Sequence, residues 1–127
     1  MANGTIAFDT LSTSGQITGT AKSVDTDYVV NGSAKAWVDG TDAAALNDSF
    51  NIGSGTDHGT GDYSYAMSTA FATINYSQNC TVRGTGATHN AIVNTARDAA
   101  GVLAIETSND TANADIRNAV VAHGDLA

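Results

Sequence analysis

The stretch NDSFNIGSGTDHGTGDYSY, residues 47–65, joins two short alternating runs through a segment made almost wholly of Gly, Ser, Thr and Asp. Its glycines can adopt positive φ angles, and the side chains of Asp57 and Asp62 can cap turns. We therefore expect a loop that connects two antiparallel strands.

A metal or phosphate site is the competing interpretation of this loop. The two Asp residues lack the alternating oxygen ligands and the closing Glu of a calcium loop. No Gly-Lys-Ser or Gly-Lys-Thr motif is present to bind the phosphates of a nucleotide. The residue chemistry thus favours a turn over a binding site.

Short alternating runs continue on the C-terminal side of this stretch and begin before it, at residue 33. The chain contains no Pro, and its 13 Gly residues separate the runs. About seven strands are expected after Ser33, at the spacing typical of a sandwich. Residues 87–104 are rich in Ala, which favours helix, but their β-branched pairs, Asn residues and Gly101 limit it to a single turn near residues 95–99. We predict an all-β, antiparallel β-sandwich or jelly-roll-like domain over residues 33–127.

The first 32 residues are too sparse in large apolar side chains to form a core of their own. Residues 5–11 alternate like a strand, and residues 26–32 form a short apolar run that ends in an Asn-Gly turn pair. We predict an extended N-terminal arm, residues 1–32, that packs against another chain. Its expected contacts are Ile6, Phe8, Leu11 and Tyr28.

The composition indicates a thin core and an acidic surface. Ala contributes 22 residues, whereas Val, Ile, Leu and Phe together number 23 of 127, and the net charge is -8. Small domains with little apolar burial often gain stability by oligomerisation, so partner chains are expected. The five Lys and Arg residues form no cluster, which argues against nucleic acid. No secretory signal or membrane-spanning run is recognised, so we expect a soluble chain made in the host cytoplasm.

The residues that could carry catalysis or bind a metal do not form recognisable motifs. His58, His89 and His123 lack metal-ligand spacing, although a trimer axis could still gather three copies of one His. Cys80 lies on the apolar side of a predicted strand and is interpreted as a buried, inert thiol that forms no internal disulfide. Glu106 is the only Glu, and the Asp residues lie in turn contexts. No catalytic residue, metal or cofactor is therefore predicted, and the chain is not expected to be an enzyme.

Four aromatic residues leave two alternatives open. Trp37, Tyr63, Tyr65 and Tyr76 could form an exposed platform for carbohydrate, or they could build the core and a subunit interface. Because large apolar residues are so few, core and interface are favoured.

An ordered series of anchors between residues 34 and 76 resembles a tail-fibre-like structural virion module found repeatedly in tailed bacteriophages, especially marine ones. The matched positions are Ala34, Lys35, Ala36, Trp37, Val38, Gly40, Thr41, Asp48, Ser49, Phe50, Asn51, Ile52, Asp57, His58, Gly59, Thr60, Gly61, Asp62, Tyr63, Asn75 and Tyr76. The closing residues 118–125 are similar to the last strand of that family. The chain departs from the family pattern in its Ala-rich residues 39–47 and in residues 66–76, where regular alternation is missing.

The resemblance implies a β-rich, trimeric, non-enzymatic structural protein of the virion. Its partners would be copies of itself and other virion proteins, such as the major capsid protein. Small size and an arm favour a capsid decoration or cement protein. The alternative is a short tail fibre or fibre tip that contacts a host surface glycan. A free carbohydrate-binding module and a polysaccharide depolymerase are further hypotheses, the latter a minor one.

Overall fold

The computed structural model describes residues 15–18, 23–84 and 88–127, and the chain divides into two compact units, Met1–Ser33 and Ala34–Ala127. In the first unit, β1 (Gln16–Thr18) pairs antiparallel with β2 (Ser23–Asp25), and α1 (Thr26–Gly32) follows. The short apolar run expected at residues 26–32 is thus helical, and its Asn-Gly end is typical of a helix C-terminus. The predicted strand at residues 5–11, with Ile6, Phe8 and Leu11, lies outside the described residues.

The second unit is built from strands, which confirms the all-β prediction. Its strands are β3 (Ala36–Gly40), β4 (Leu46–Phe50), β5 (Ile52–Gly59), β6 (Asp62–Met67), β7 (Ser77–Val82), β8 (Asn90–Val93), β9 (Val102–Ser108) and β10 (Asn118–His123). They form two antiparallel four-stranded sheets: the first sheet has the order β4-β3-β10-β7, and the second has the order β5-β6-β9-β8. Eight strands are described where about seven were expected, and the additional one is β5.

The Gly-rich segment that was expected to be a loop is mostly strand β5. It pairs along its length with β6, and the connection between them is a tight turn at Thr60 and Gly61. Gly61 has a φ of 70°, and a Cβ atom there would collide with the backbone oxygen of Thr107. The pairing with β6 supplies backbone hydrogen bonds to residues of low intrinsic strand propensity, which is why composition alone did not reveal the strand.

One apolar cluster contains buried residues from both sheets. The first sheet contributes small side chains from β3 and β10, and the second contributes large ones from β5, β6 and β9. The buried members in strands are Ala36, Val38, Val120 and Ala122 from the first sheet and Ile52, Tyr63, Tyr65, Leu103 and Ile105 from the second. Because Ala36 and Val38 face inward, the alternation of β3 turns Trp37 and Asp39 outward.

Alternation alone predicts Leu46, Phe50 and Ile52 on one face of a strand, and this prediction is wrong. A register shift between β3 and β4 places Leu46 opposite Gly40, whereas Phe50 lies opposite the outward Trp37. Asn51 then has a φ of 58°, which reverses the chain before Ile52 enters the core. A bulge and one left-handed residue therefore put Phe50 on the surface, where 54% of it is exposed.

Two other expectations concern the middle of the chain. Alternation with Tyr76, Cys80 and Val82 predicts that Ile74 lies in the same strand, but β7 begins only at Ser77 and Ile74 is 68% exposed. The single turn expected near residues 95–99 is present, with a backbone hydrogen bond of 3.2 Å from Arg97 N to Asn94 O. Within the part of the chain that the structure describes, no helix has the length and apolarity needed to cross a bilayer.

Candidate binding face

The outward face of the first sheet carries a shallow trough of about 280 Å³ that runs along β10. It is lined by residues of β3, β10 and β7. Each strand contributes two outward residues and the inward residue that lies between them in sequence. These outward residues are Trp37, Asp39, Asn79, Thr81, Ala119 and Val121. We call this feature the β10 trough.

Strand register explains why this face is concave. Val121 lies opposite Trp37 on β3 and Asn79 on β7, and Ala119 lies between Asp39 and Thr81 in the same way. The central strand thus presents small side chains, while the strands on both sides present larger ones. The result is a floor of Ala and Val beside the Trp37 indole, and the surface that lines the trough is mostly apolar.

An ion-pair cluster forms around Asp39, one of the residues that line the trough. Arg117 donates two hydrogen bonds to the carboxylate of Asp39, from Nε at 3.1 Å and from Nη2 at 2.5 Å. Arg83 donates a third from Nη1 at 2.8 Å. The hydrogen bond from Arg117 is the main cause of a lowered pKa of Asp39, so this carboxylate is ionised at neutral pH. Two guanidinium groups therefore share one carboxylate beside the trough.

The family-like anchors on β3 and β4 divide between core and surface. Ala36 and Val38 are buried, Ala34 and Lys35 are half-buried immediately before β3, and Trp37 faces outward. On β4 and in the turn after it, Asp48 and Phe50 are exposed, and Ser49 and Asn51 are half-buried.

Asn51 is the anchor with the clearest structural role. Its side-chain amide donates to the backbone oxygens of Lys35 at 3.1 Å and Thr69 at 2.9 Å, and its Oδ1 accepts from Thr69 N at 2.7 Å. The Asn51 side chain therefore links the backbone just before β3, at Lys35, to the backbone just after β6, at Thr69. These contacts hold the backbone and leave no group directed at a ligand.

The anchors around the β5–β6 turn also contact their own backbone and its neighbours. Asp57 accepts from Gly59 N at 2.8 Å, and Gly61 N donates to Asp115 at 2.7 Å. Thr60 is exposed in the turn, and Tyr63 is buried directly after it. This end of the molecule is a closed hairpin turn rather than an open loop.

A carboxylate pair that sequence reasoning missed lies on the outward face of the second sheet. Asp62 on β6 lies opposite Glu106 on β9, and the Asn94 amide donates to both, at 3.2 and 3.0 Å. Arg97 also donates to Asp62, at 2.9 Å. The cross-strand position could have been found only by knowing that β6 and β9 are neighbours. All its members are partnered, so the pair behaves as a structural network.

The histidines and the cysteine are not brought together into a site. His58 lies at the end of β5 within 2.8 Å of the Ser64 hydroxyl, His89 precedes β8, and His123 ends β10. Cys80 is half-buried against the core, and this burial raises the pKa of its thiol. Among the described residues there is no group of three or more His, Cys, Asp or Glu that could hold a metal ion.

The four aromatics named from the sequence do not form one platform. Tyr63 and Tyr65 are fully buried, and Tyr76 stacks on Phe71 with ring centroids 4.5 Å apart. The Tyr76 hydroxyl donates to Asp98 and to the backbone oxygen of Val102, which closes that corner of the fold. Trp37 alone of the four faces outward, and its neighbour on the surface is Phe50.

Comparison with known proteins adds no relative. No family model, no curated protein and no solved structure matches the chain.

Proposed function

We propose that this chain is a non-enzymatic structural protein of a tailed-phage virion, a capsid decoration or cement protein that stabilises the head. The family-like anchors support this role by their contacts. Asn51, Asp57 and Gly61 hold turns and join backbone segments, as expected of residues that shape a module. The resemblance in residues 34–76 supplies the link to the virion.

The observation that carries an assembly role is the exposed apolar surface of α1. Tyr28 is 75% exposed and Val29 is 47% exposed, on a helix of seven residues. So short a helix is not stable in water by itself, and adjacent exposed apolar side chains favour burial against a partner. The first unit is therefore proposed as the assembly arm, with Tyr28 among its contacts.

In this proposal the second unit is a β-sandwich that works as a trimer. The two sheets share one apolar cluster, which supports a sandwich. The fully buried side chains of its first-sheet half are Ala and Val only, so the cluster is small, and further burial between copies would stabilise it. Light scattering on the isolated chain tests the trimer; a monodisperse, thermally robust monomer would contradict it.

The place in the particle is tested by the copy number of this chain in purified virions. Quantitative mass spectrometry would compare it with the major capsid protein. A copy number similar to that of the capsid protein supports decoration of the head, whereas a few copies per particle contradict it and support a tail fibre.

The arm is tested by deletion of residues 1–30. The truncated chain should keep the strand signal of the second unit in circular dichroism, because the sheets lie wholly in residues 36–123. It should nevertheless be lost from particles more readily than the full chain. Equal retention of the two on virions would refute the assembly role of the first unit.

A short tail fibre or fibre tip that contacts host glycan is the second candidate function. One observation favours it: Trp37 faces outward and lines a shallow trough on the surface. Under that alternative the exposed first-sheet face would point away from the particle and toward the host.

A further inference from the structure

We propose that the outward face of the first sheet is the surface through which copies of this chain pack against one another. The inference rests on the trimer of the proposed function and names the surface that the trimer uses. The face consists of the outward side chains of β4, β3, β10 and β7, and it contains the β10 trough. Its shape, its charge and the levels of its groups along the strands favour a second copy as the occupant.

An apolar ridge lies directly beside the apolar trough on this face. Trp37 and Phe50 are cross-strand neighbours on β3 and β4, and Phe50 is 54% exposed. On the other side of Trp37 the trough has a floor of Ala119 and Val121, and the surface that lines it is mostly apolar. A raised half and a recessed half on one face are complementary, so packing the ridge of one copy into the trough of the next removes both from water.

The face lacks the net negative charge that the chain carries as a whole. The charged residues in its strands or directly beside them are Asp39, Asp48, Lys35, Arg83 and Arg117. Three of the five Lys and Arg residues of the chain are thus on or beside this face, with only two of its 13 Asp and Glu residues. The net charge of -8 therefore comes from the rest of the chain. Copies that meet through this face avoid the repulsion that contact between acidic surfaces would cause.

Strand register places the ridge and the trough at one level along the strands. Phe50 on β4 lies opposite Trp37, which lies opposite Val121 on β10. A rotation axis parallel to the strands, with the faces turned toward it, keeps this level and brings the β4 side of one copy against the β7 side of the next. Phe50 of one copy then meets the Val121 floor of its neighbour, and three such contacts close the ring of the proposed trimer.

The same rotation brings opposite charges together. Asp48 on β4 is exposed and lies level with Thr81 on β7, as the pairings of the four strands show. Arg83 follows Thr81 by two residues, which is roughly 7 Å along a strand. Its side chain is 50% exposed, and its hydrogen bond to Asp39 uses Nη1. Arg83 of one copy can therefore donate to Asp48 of the next while it keeps its bond to Asp39.

The test is the oligomeric state of the full chain over a range of concentrations, measured by sedimentation equilibrium. We expect Phe50→Ser to raise the concentration at half-association at least about tenfold, because the ridge loses its largest exposed side chain. Ile92→Ser is the matched control: Ile92 is 58% exposed on β8 of the second sheet, and its loss should leave association unchanged. Circular dichroism below the association range checks that each variant folds.

The charged contact is tested by reversal. Asp48→Lys and Arg83→Glu should each raise the concentration at half-association about fivefold, because each brings like charges together between copies. The double variant restores opposite charges and should return to within about twofold of the parent. Asp110→Lys and Arg97→Glu make the same changes of net charge outside the strands of this face. Asp110→Lys should not weaken association, and Arg97→Glu should weaken it less than Arg83→Glu.

The outcomes separate this surface from the trimer itself. A trimer that Phe50→Ser and both charge reversals leave intact would refute this surface and keep the trimer. A dimer that these substitutions dissociate would keep the surface and refute the trimer, and a monomer at every concentration would refute both. Ile92→Ser weakening association as much as Phe50→Ser would mean unspecific apolar contact and would overturn the proposal, as would a double variant no stronger than Asp48→Lys alone.

Discussion

Two pairs of aromatic residues have opposite positions in this fold. Tyr63 and Tyr65 on β6 are fully buried, whereas Trp37 on β3 and Phe50 on β4 are neighbours on the outer surface. Both pairs come from short alternating runs of similar appearance. Aromatic content in a strand therefore did not determine which side became core.

The hydroxyl groups account for part of this difference. Tyr65 donates to Asn118 Oδ1 at 2.7 Å, and Tyr63 donates to Asp42 O and to Asp115, both at 3.1 Å. These bonds satisfy polar atoms that would otherwise be buried alone. Among the described residues, no side-chain hydrogen bond holds Trp37 or Phe50. The residues of β3 and β4 that pack in or against the core are Ala36, Val38 and Leu46. A buried aromatic here is a structural element, and an exposed one is available for contact.

The largest loss of stability is expected from a substitution that displaces the ring of Tyr65, one of the buried pair. A Cβ atom in Gly40→Ala would collide with the hydroxyl and Cζ of Tyr65, so the ring must move and its bond to Asn118 must break. We expect a loss of about 3 kcal/mol in the free energy of unfolding, measured by urea denaturation. Gly53→Ala is the control, since a Cβ atom there meets Ser68 Oγ at an ordinary 3.5 Å. Equal stability of the two variants would show that the Tyr65 site is not tightly packed.

A smaller loss of stability is expected when the hydroxyl of either buried tyrosine is removed, and its size should differ between Tyr65 and Tyr63. Tyr65→Phe leaves Asn118 Oδ1 without its donor at a fully buried site, so the free energy of unfolding should fall by about 1–3 kcal/mol. Tyr63→Phe should cost less, about 0.5–1.5 kcal/mol, because water can reach the exposed Asp42 and Asp115. Urea denaturation of both variants checks the order, and a larger loss for Tyr63→Phe would contradict it.

Alkaline pH should destabilise the buried pair without any substitution. Burial raises the pKa of Tyr65 to about 12 and that of Tyr63 to about 12, from the ordinary tyrosine value of 10.0. The folded chain then binds more protons than the unfolded chain between these values, so stability is full below pH 10 and falls as pH rises toward 12. Burial also raises the pKa of Tyr76, which adds to the same trend.

The measurement is the urea midpoint at a series of pH values above neutrality, in parallel with tyrosine absorbance. In the double variant Tyr63→Phe, Tyr65→Phe the midpoint should decline less steeply with pH, because only the Tyr76 contribution remains of the three. A parent midpoint that stays constant through the titration range of the tyrosines would disprove the linkage.

The smallest effect on stability is expected for the exposed pair. Trp37→Ala and Phe50→Ala remove side chains that face outward, so each should change the free energy of unfolding by less than about 1 kcal/mol. Unfolding of both variants in urea should be followed by circular dichroism. Tryptophan fluorescence is not suitable, because Trp37→Ala removes the only Trp of the chain. A loss comparable to that of Gly40→Ala would mean that this face is part of the core of the isolated chain.

The strand pattern was predictable where alternation was regular and partners were local. The runs that became β3, β6, β9 and β10 stand out because apolar or small residues recur at every second position. β5 was missed because its residues are mostly Gly, Ser, Thr, Asp and His, and pairing with β6 decides its conformation. Helix α1 was missed because its Val pair resembles strand sequence, and seven residues are too few for a helical period to be recognised.

The candidate site was only partly predictable. Trp37 was singled out from the sequence. Alternation alone would place Phe50 on the inner side with Ile52, but one bulge and one left-handed residue interrupt the alternation and leave Phe50 exposed. Arg83 and Arg117 were judged to be unclustered because they lie 44 and 78 residues from Asp39 in sequence. No local pattern contains such a pairing.

The sequence by itself determined the all-β class, a Gly-dependent connection between two antiparallel strands within residues 47–65, and the acidic, Ala-rich composition that limits the core. These properties follow from backbone preferences and alternation over a few residues, which the order of residue types records directly. Only the tertiary structure decided that β3, β10 and β7 lie side by side and that Ala119 and Val121 form a floor between larger neighbours. Strand order and register arise from contacts between distant segments, and the free energy of those contacts depends on all the strands packing at once.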